Sequence, residues 1–252
     1  MYKIPANTLF IGQKLIYVPE CHSTNSLLSE LNDRQELPEG TVLITNHQTS
    51  GRGQRGNSWE AEQGMNLTFS ILLRPKFLEP KDQFRLCMAV SIAIAESLQA
   101  CLPQPIKLKW PNDILVDGKK IGGILIENQL QSALLSCTIV GVGINVNQER
   151  FSNPGAASIH NLSGVFYKLD ELFHRLLEML EAEYLDLRTG KTDGLKNRYL
   201  DALYRFKEPH HFESGGENFM GSIDDVDENG RLCVVSEGKT RIFSFQELKF
   251  LK

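Results

Sequence analysis

The sequence predicts an α+β fold: a mixed or largely antiparallel sheet flanked by helices, followed by a small all-β module. Three observations carry that expectation. Between residues 106 and 147 four strand-like runs follow one another, IKLKW, ILV, IGGILIEN and LLSCTIVGVGINVN. Strands joined by such tight turns pair antiparallel rather than through βαβ crossovers. Two segments have helical length and character. Asp82–Ala100 is mostly apolar and rich in good helix formers, and Asp170–Arg188 repeats Leu172, Phe173, Leu176, Leu177, Leu180 and Tyr184 on one face. From about Tyr204 onward only short strand-like runs remain (FMGSI, RLCVV, TRIFSF), separated by the turn sequences DENG and SEGK. That is the texture of a compact barrel. The division it suggests is 1–203 and 204–252.

The other elements follow from local chemistry. Gly40–Thr45 (GTVLIT) and Met65–Leu73 are apolar and β-branched, two strands on either side of a glycine-rich loop. Ser23-Thr24-Asn25 precedes SLLSEL, whose Leu27, Leu28 and Leu31 share a helical face, so the polar triplet stands where an N-cap belongs. Asp82 is placed to cap the apolar helix behind it. Asp117-Gly118 reads as a two-residue hairpin turn, and Gln148–Ala157 as a surface loop.

The bulk numbers remove several classes. The chain has 252 residues and a net charge of −4, which gives no sign of a nucleic-acid partner. No apolar run approaches the roughly 20 residues of a membrane span, and MYKIPANTLF lacks the apolar core of a signal peptide. Five cysteines, Cys21, Cys87, Cys101, Cys137 and Cys233, show no pairing pattern, which fits reduced thiols in the cytoplasm.

Gly51–Trp59 reads GRGQRGNSW and contains the spacing G-x-G-x-x-G. A dinucleotide site needs a helix opening at the third glycine. Here NSWEAEQG follows, with poor helix formers and no helical period. A kinase loop needs a differently placed valine, and H-R-D and D-F-G are missing from the chain. Two readings remain. One is a mobile loop whose N–H groups, Arg52 and Arg55 suit phosphate; the other is a basic surface hairpin.

The stretch Lys109–Ile126, KWPNDILVDGKKIGGILI, sets Lys109, Asp113 and Lys120 in otherwise apolar text, and Gly122-Gly123 interrupts a strand. Glycine there fits the close approach of a ligand or another backbone; a plain hairpin with surface lysines, Asp113 capping a turn, is the alternative. In GVGINVN, Gly141 and Gly143 raise the same question, with Asn145 and Asn147 on one face of a strand or of a bulged strand end. No Ser-His-Asp order, metal-ligand cluster or polar thiol stands out. The set suits a site that binds and orients two reactants while cations offset phosphate charge.

Taken in order, GRGQRGNSW, KWPNDILVDGKKIGGILIE and GVGINVN resemble the biotin protein ligases, as do the STN triplet, Ala157-Ser158 and FMGSIDDVDENGRLCVV. The resemblance covers nearly the whole chain. It implies a class II synthetase-like catalytic domain carrying a small C-terminal SH3-like β-barrel. It also implies a reaction in two steps. Biotin's carboxylate attacks the α-phosphate of ATP to give biotinyl-adenylate, and a lysine of a biotin carboxyl carrier protein, typically within acetyl-CoA carboxylase, then takes the acyl group and releases AMP. By position, Ser23, Thr24, Asn25, Gln48, Gly51 and Arg52 resemble residues at the ureido end of biotin, and Gly122 and Gly123 the floor beside its rings. Lys120 matches the lysine that contacts the carboxyl and α-phosphate oxygens. Trp59 resembles the aromatic that packs on adenine, and Asn145 a nucleotide contact. Lys109 and Asp113 correspond to residues near the phosphates and the incoming lysine, where Asp113 could orient the amine or accept its proton. Arg52, Lys109, Asp113 and Lys120 are the expected catalytic set. Mg²⁺ is expected with ATP, its ligands unassigned.

The chain departs from the family pattern in two places. Gln54 stands where many members carry an arginine that helps retain the adenylate, with Arg55 as the neighbouring cation; either Arg55 substitutes or intermediate leaks more readily. The chain opens almost directly into the catalytic text, so no N-terminal helix-turn-helix and no operator binding are expected. A lipoate or octanoate ligase of the same fold is the alternative reading. A monomer and a homodimer through the catalytic sheet both stay open.

Overall fold

The computed structural model describes residues 2–131 and 134–251. The first seven strands are β1 (Leu15–Cys21), β2 (Val42–Gln48), β3 (Leu67–Leu73), β4 (Lys107–Lys109), β5 (Asp113–Val116), β6 (Lys119–Gln131) and β7 (Leu134–Ile144). They form one sheet in the order β1-β2-β3-β7-β6-β5-β4. Only β1 and β2 run parallel; the other neighbours are antiparallel. The mixed sheet expected from the short connections is therefore present.

Strand alternation gives this sheet two different faces. Val42, Ile44, Phe69, Ile71, Val140, Val142 and Ile144 point to one side, where they pack with α2 (Gln83–Gln99) and α4 (Leu169–Arg188) in the main core. Leu43, Leu72, Cys137 and Ile139 point to the other, against Leu28 of α1 (Thr24–Arg34). Two shorter helices, α3 (Ile159–Ser163) and α5 (Leu195–Ala202), complete the helical set of the described residues. No helix among them is long and apolar enough to cross a membrane.

The second sheet comprises β8 (Pro209–Ser214), β9 (Glu217–Val226), β10 (Leu232–Ser236), β11 (Lys239–Phe243) and β12 (Lys249–Phe250). Its order is β11-β10-β9-β8-β12, antiparallel throughout. Trp110, at the end of β4, fastens it to the first sheet. The buried indole Nε1 donates to Gly230 O at 2.8 Å, and its ring lies 5.2 Å from that of Phe245. This docking brings the last strand, β12, to the mouth of the site described below.

Two local expectations are corrected. Ser23 and Asp82 do occupy N-cap positions, but neither side chain caps its helix. Asp82 instead pairs with Arg85 Nε at 3.2 Å, and the Ser23 triplet faces a cavity. The Asp117-Gly118 turn is as expected, with φ of 50° and 73° at its two residues, the primed geometry that matches strand twist.

Candidate active site

A cavity of about 390 Å³ opens on the α1 side of the large sheet. Alternation supplies its floor: Thr68 of β3, Gly123 and Leu125 of β6, and Gly141 and Gly143 of β7. The glycines are there because other groups take the space. A Cβ on Gly141 would overlap the Asn25 amide oxygen, and one on Gly143 would stand 2.5 Å from the Trp59 ring. On Gly123 it would meet Lys120 Nζ at 3.5 Å and Trp59 at 3.6 Å.

One end of the cavity is polar and buried. Ser23, Thr24 and Asn25 are each 3% exposed at the start of α1. The Thr24 N–H donates to Gln48 Oε1 at 2.7 Å, so a glutamine from β2 does the capping that Ser23 does not. Asn25 Nδ2 donates to Glu127 Oε2 at 2.8 Å and Leu125 O at 3.2 Å, and Asn25 Oδ1 lies 2.5 Å from Ser70 Oγ. Buried polar groups this well partnered hold their geometry.

The other end is cationic. Lys120 Nζ lies 2.5 Å from Asp113 Oδ1 across the β5–β6 hairpin. Its backbone is held on both sides: the N–H donates to Gly155 O at 2.8 Å, and the carbonyl accepts from the Ala157 N–H at 3.0 Å. Lys109 Nζ stands 5.0 Å over the Phe250 ring of β12, a cation–π contact. Arg52 adds a further cation from the glycine loop, with Nη2 2.6 Å from the Glu127 Oε2 that Asn25 also bonds, so it stands between the two ends. Among the described lining residues Asp113 is the single carboxylate, so positive charge is in excess. Electrostatically this suits an anion with several oxygens.

The glycine loop is drawn closed over this end. The Trp59 N–H donates to Gly51 O at 2.9 Å and the Gly53 N–H to Asn57 O at 2.6 Å, while Gln54–Gly56 forms a single 3₁₀ turn. The hairpin reading of GRGQRGNSW thus describes its shape, and the ligand-facing reading its position: Arg52, Gly53, Gln54, Asn57, Ser58 and Trp59 all line the cavity.

Two chemistries can be weighed directly. Burial raises the thiols of Cys21, Cys101, Cys137 and Cys233 and pushes Cys87 up to about 11, which keeps them protonated and poorly nucleophilic. No cluster of three or more metal-ligating side chains occurs among the described residues. Asp113, tied to Lys120, does not make a protein cage for Mg²⁺, which is commonly held by one or two carboxylates together with substrate phosphates.

Residues 17–145 match the Biotin/lipoate A/B protein ligase family. The bifunctional ligase/repressor BirA of Bacillus spizizenii is 30% identical over 243 residues, which are 94% of this chain and 74% of the relative. The chain belongs to the biotin/lipoate A/B protein ligase family. Another member, the biotin–[acetyl-CoA-carboxylase] ligase of Mycobacterium tuberculosis, is 30% identical over 95% of this chain and 90% of its own length. Among solved structures, the biotin protein ligase of Aquifex aeolicus in complex with biotin and ATP superimposes with a TM-score of 0.79. It is 25% identical and covers 95% of this chain and 99% of that one.

Against this ligase fold the anticipated residues separate into those the cavity gathers and those it does not. Ser23, Thr24, Asn25, Gln48, Arg52, Trp59, Lys109, Asp113, Lys120 and Gly123 line it together. Gly122 does not. Alternation turns it to the helix side, where a Cβ would meet Ile144 at 2.8 Å and Ile114 at 3.2 Å, so its smallness serves core packing. Gly51 lies behind the loop, receiving Trp59's N–H. Asn145 is 3% exposed and its Nδ2 donates to Ala157 O at 3.0 Å, which holds the segment that grips Lys120. The side chain of Arg55 lies outside the described residues.

Sequence reading missed Glu127, Ser70, Thr68 and the contribution of Gln246, Leu248, Lys249 and Phe250 from the second sheet's end. For Glu127 a signal existed. It is a carboxylate closing the apolar run ILIE, two and four residues from Leu125 and Gly123 on the same face. The C-terminal residues had none, because their place depends on how the second sheet docks.

Proposed function

We propose that this chain adenylates biotin with ATP and transfers the biotinyl group to a lysine of a biotin carboxyl carrier protein. The observation that carries the reading is the two-ended cavity, a buried hydrogen-bonding end joined across glycine floor to a cationic end. Biotin's ureido group offers one carbonyl and two N–H groups, which the Thr24, Asn25 and Gln48 end can pair. A lipoyl dithiolane has neither carbonyl nor N–H to offer that end and would forgo those bonds.

At the other end, Lys120 and Arg52 meet the carboxylate of biotin and the α-phosphate of ATP, where charge develops as the acyl–phosphate bond forms and pyrophosphate leaves. Trp59 gives the adenine a surface. Its place against Gly123 and Gly143 keeps the nucleotide beside Lys120. Lys109 adds charge near the pyrophosphate. Mg²⁺ bound with the triphosphate would supply charge screening there. In the second step the acceptor ammonium must lose a proton before its nitrogen attacks the acyl carbon. Asp113 is the carboxylate within reach, released from Lys120 once that lysine engages phosphate.

The division into 1–203 and 204–252 is part of the same proposal, as is a cytoplasmic setting, supported by five free thiols. Whether the protein is a monomer or a homodimer through the large sheet is read by sedimentation. The test of the reaction is label transfer. With ATP, labelled biotin and a purified carrier domain, the carrier gains label on one lysine and loses it when that lysine becomes arginine. A carrier that stays unlabelled in every condition contradicts the proposal.

A further inference from the structure

Glu127 lies on the same face of β6 as Gly123 and Leu125, just behind the cavity, and its carboxylate is shared. Oε2 accepts from Asn25 Nδ2 at 2.8 Å and from Arg52 Nη2 at 2.6 Å. The donors come from different elements, Asn25 from the head of α1 and Arg52 from the glycine loop, and the shared oxygen brings them side by side.

The first bond gives the polar end a direction. An ionised carboxylate only accepts, so Asn25 turns its NH₂ toward Glu127 and Leu125 O and leaves Oδ1 for Ser70. Ser70 Oγ stands 2.5 Å from that Oδ1 and 2.7 Å from Thr24 Oγ1. Asn25 Oδ1 has no proton, so Ser70 must commit its single proton there, and the proton of the Thr24 hydroxyl goes to Ser70 Oγ or to Gln48 Oε1, 3.2 Å away. Thr24 therefore offers lone pairs, not a proton, to the cavity. Glu127, with the Leu125 carbonyl, sets the sense of the whole chain from its end.

The second bond holds the loop. Arg52 is the first cation of GRGQRG, and its guanidinium reaches the sheet through Glu127. The side chains are 44% and 41% exposed, so the pair is screened and reversible, as a loop that must admit substrate requires.

We infer that Glu127 is a positioning residue that, together with Leu125 O, fixes the donor–acceptor sense of the polar end and that latches Arg52, with its loop, over the cavity. The inference rests on the biotin-adenylating reading for its kinetic half. Its two roles are separable by substitution. Glu127→Gln keeps an acceptor oxygen for Asn25 and loses the charge that holds Arg52. Glu127→Ala loses both.

Two readouts on the full-length protein test it. The first is trypsin cleavage at Arg52–Gly53 and Arg55–Gly56 without ligand, and the second is the biotin KM and kcat in pyrophosphate exchange. Cleavage should rise about two- to fivefold in both variants, the scale of an exposed ion pair. The biotin KM should rise about tenfold in Glu127→Ala and stay within about twofold of wild type in Glu127→Gln, because only alanine takes an acceptor away from Asn25 Nδ2 and leaves it Leu125 O alone. Unchanged cleavage in both variants, or equal movement of KM in both, overturns the inference. A wild-type protein without exchange would sink the reaction reading instead. The proteolysis result uses no substrate and would still decide the latch.

Discussion

The two ends of the cavity are built on different principles. At the polar end every group named has a protein partner: Thr24 with Gln48, Asn25 with Glu127 and Leu125, Ser70 with Asn25. The three residues at the head of α1 are almost fully buried. At the cationic end Lys120 and Lys109 face one lining carboxylate, and both are partly open to solvent, while the exposed Arg52 is held by Glu127 between the ends. The first end is held by protein partners, which on the proposed reading fixes the groups that meet a neutral ring. The second is left with surplus charge, and its work is done only when phosphate oxygens enter. The difference teaches where specificity and rate should separate: damage to the polar end should appear in substrate affinity, and damage to the cationic end in turnover.

The largest effect expected is at Lys120. Lys120→Ala removes a donor aimed at developing charge, and kcat for pyrophosphate exchange should fall about 10²–10³-fold with the biotin KM little changed. A fall expressed mainly in KM would break the contrast. Next in size is Asn25→Leu, which leaves Ser70 and the Glu127 carboxylate without their amide. The biotin KM should rise about 10- to 100-fold while kcat moves less, measured in the same exchange. A dominant kcat loss would mean that the polar end takes part in the chemistry. The smallest effect is at the thiols. Because burial keeps all five protonated, iodoacetamide near neutral pH should leave initial rates unchanged. Rapid inactivation would show that one thiol serves an end of the cavity after all.

Much of this architecture could be read from the chain. The mixed sheet was legible because short β-branched runs with a D-G turn between them have few other ways to pair. The two long helices were legible from apolar recurrence. Of the site, the charged residues stood out because Lys109, Asp113 and Lys120 interrupt apolar strand text. Other features were illegible for physical reasons. Gly122 and Gly123 look alike in sequence, and only the pairing register decides that one floors the cavity and the other relieves Ile144. The STN triplet looked like a cap, yet Gln48, 24 residues away in sequence, takes the Thr24 N–H. β1, β8, β12, α3 and α5 went unanticipated, being short or polar enough to need their neighbours. The second sheet's gift of Lys249 and Phe250 to the cavity rests on the long-range docking of Trp110 against Gly230.

The central claim is that this two-ended cavity activates biotin with ATP. The most direct measurement is exchange of labelled pyrophosphate into ATP, run with biotin, lipoate and octanoate and repeated with Lys120→Ala. The account predicts exchange with biotin alone and its loss in the variant. Exchange driven by lipoate or octanoate, or none with any acid, would contradict it.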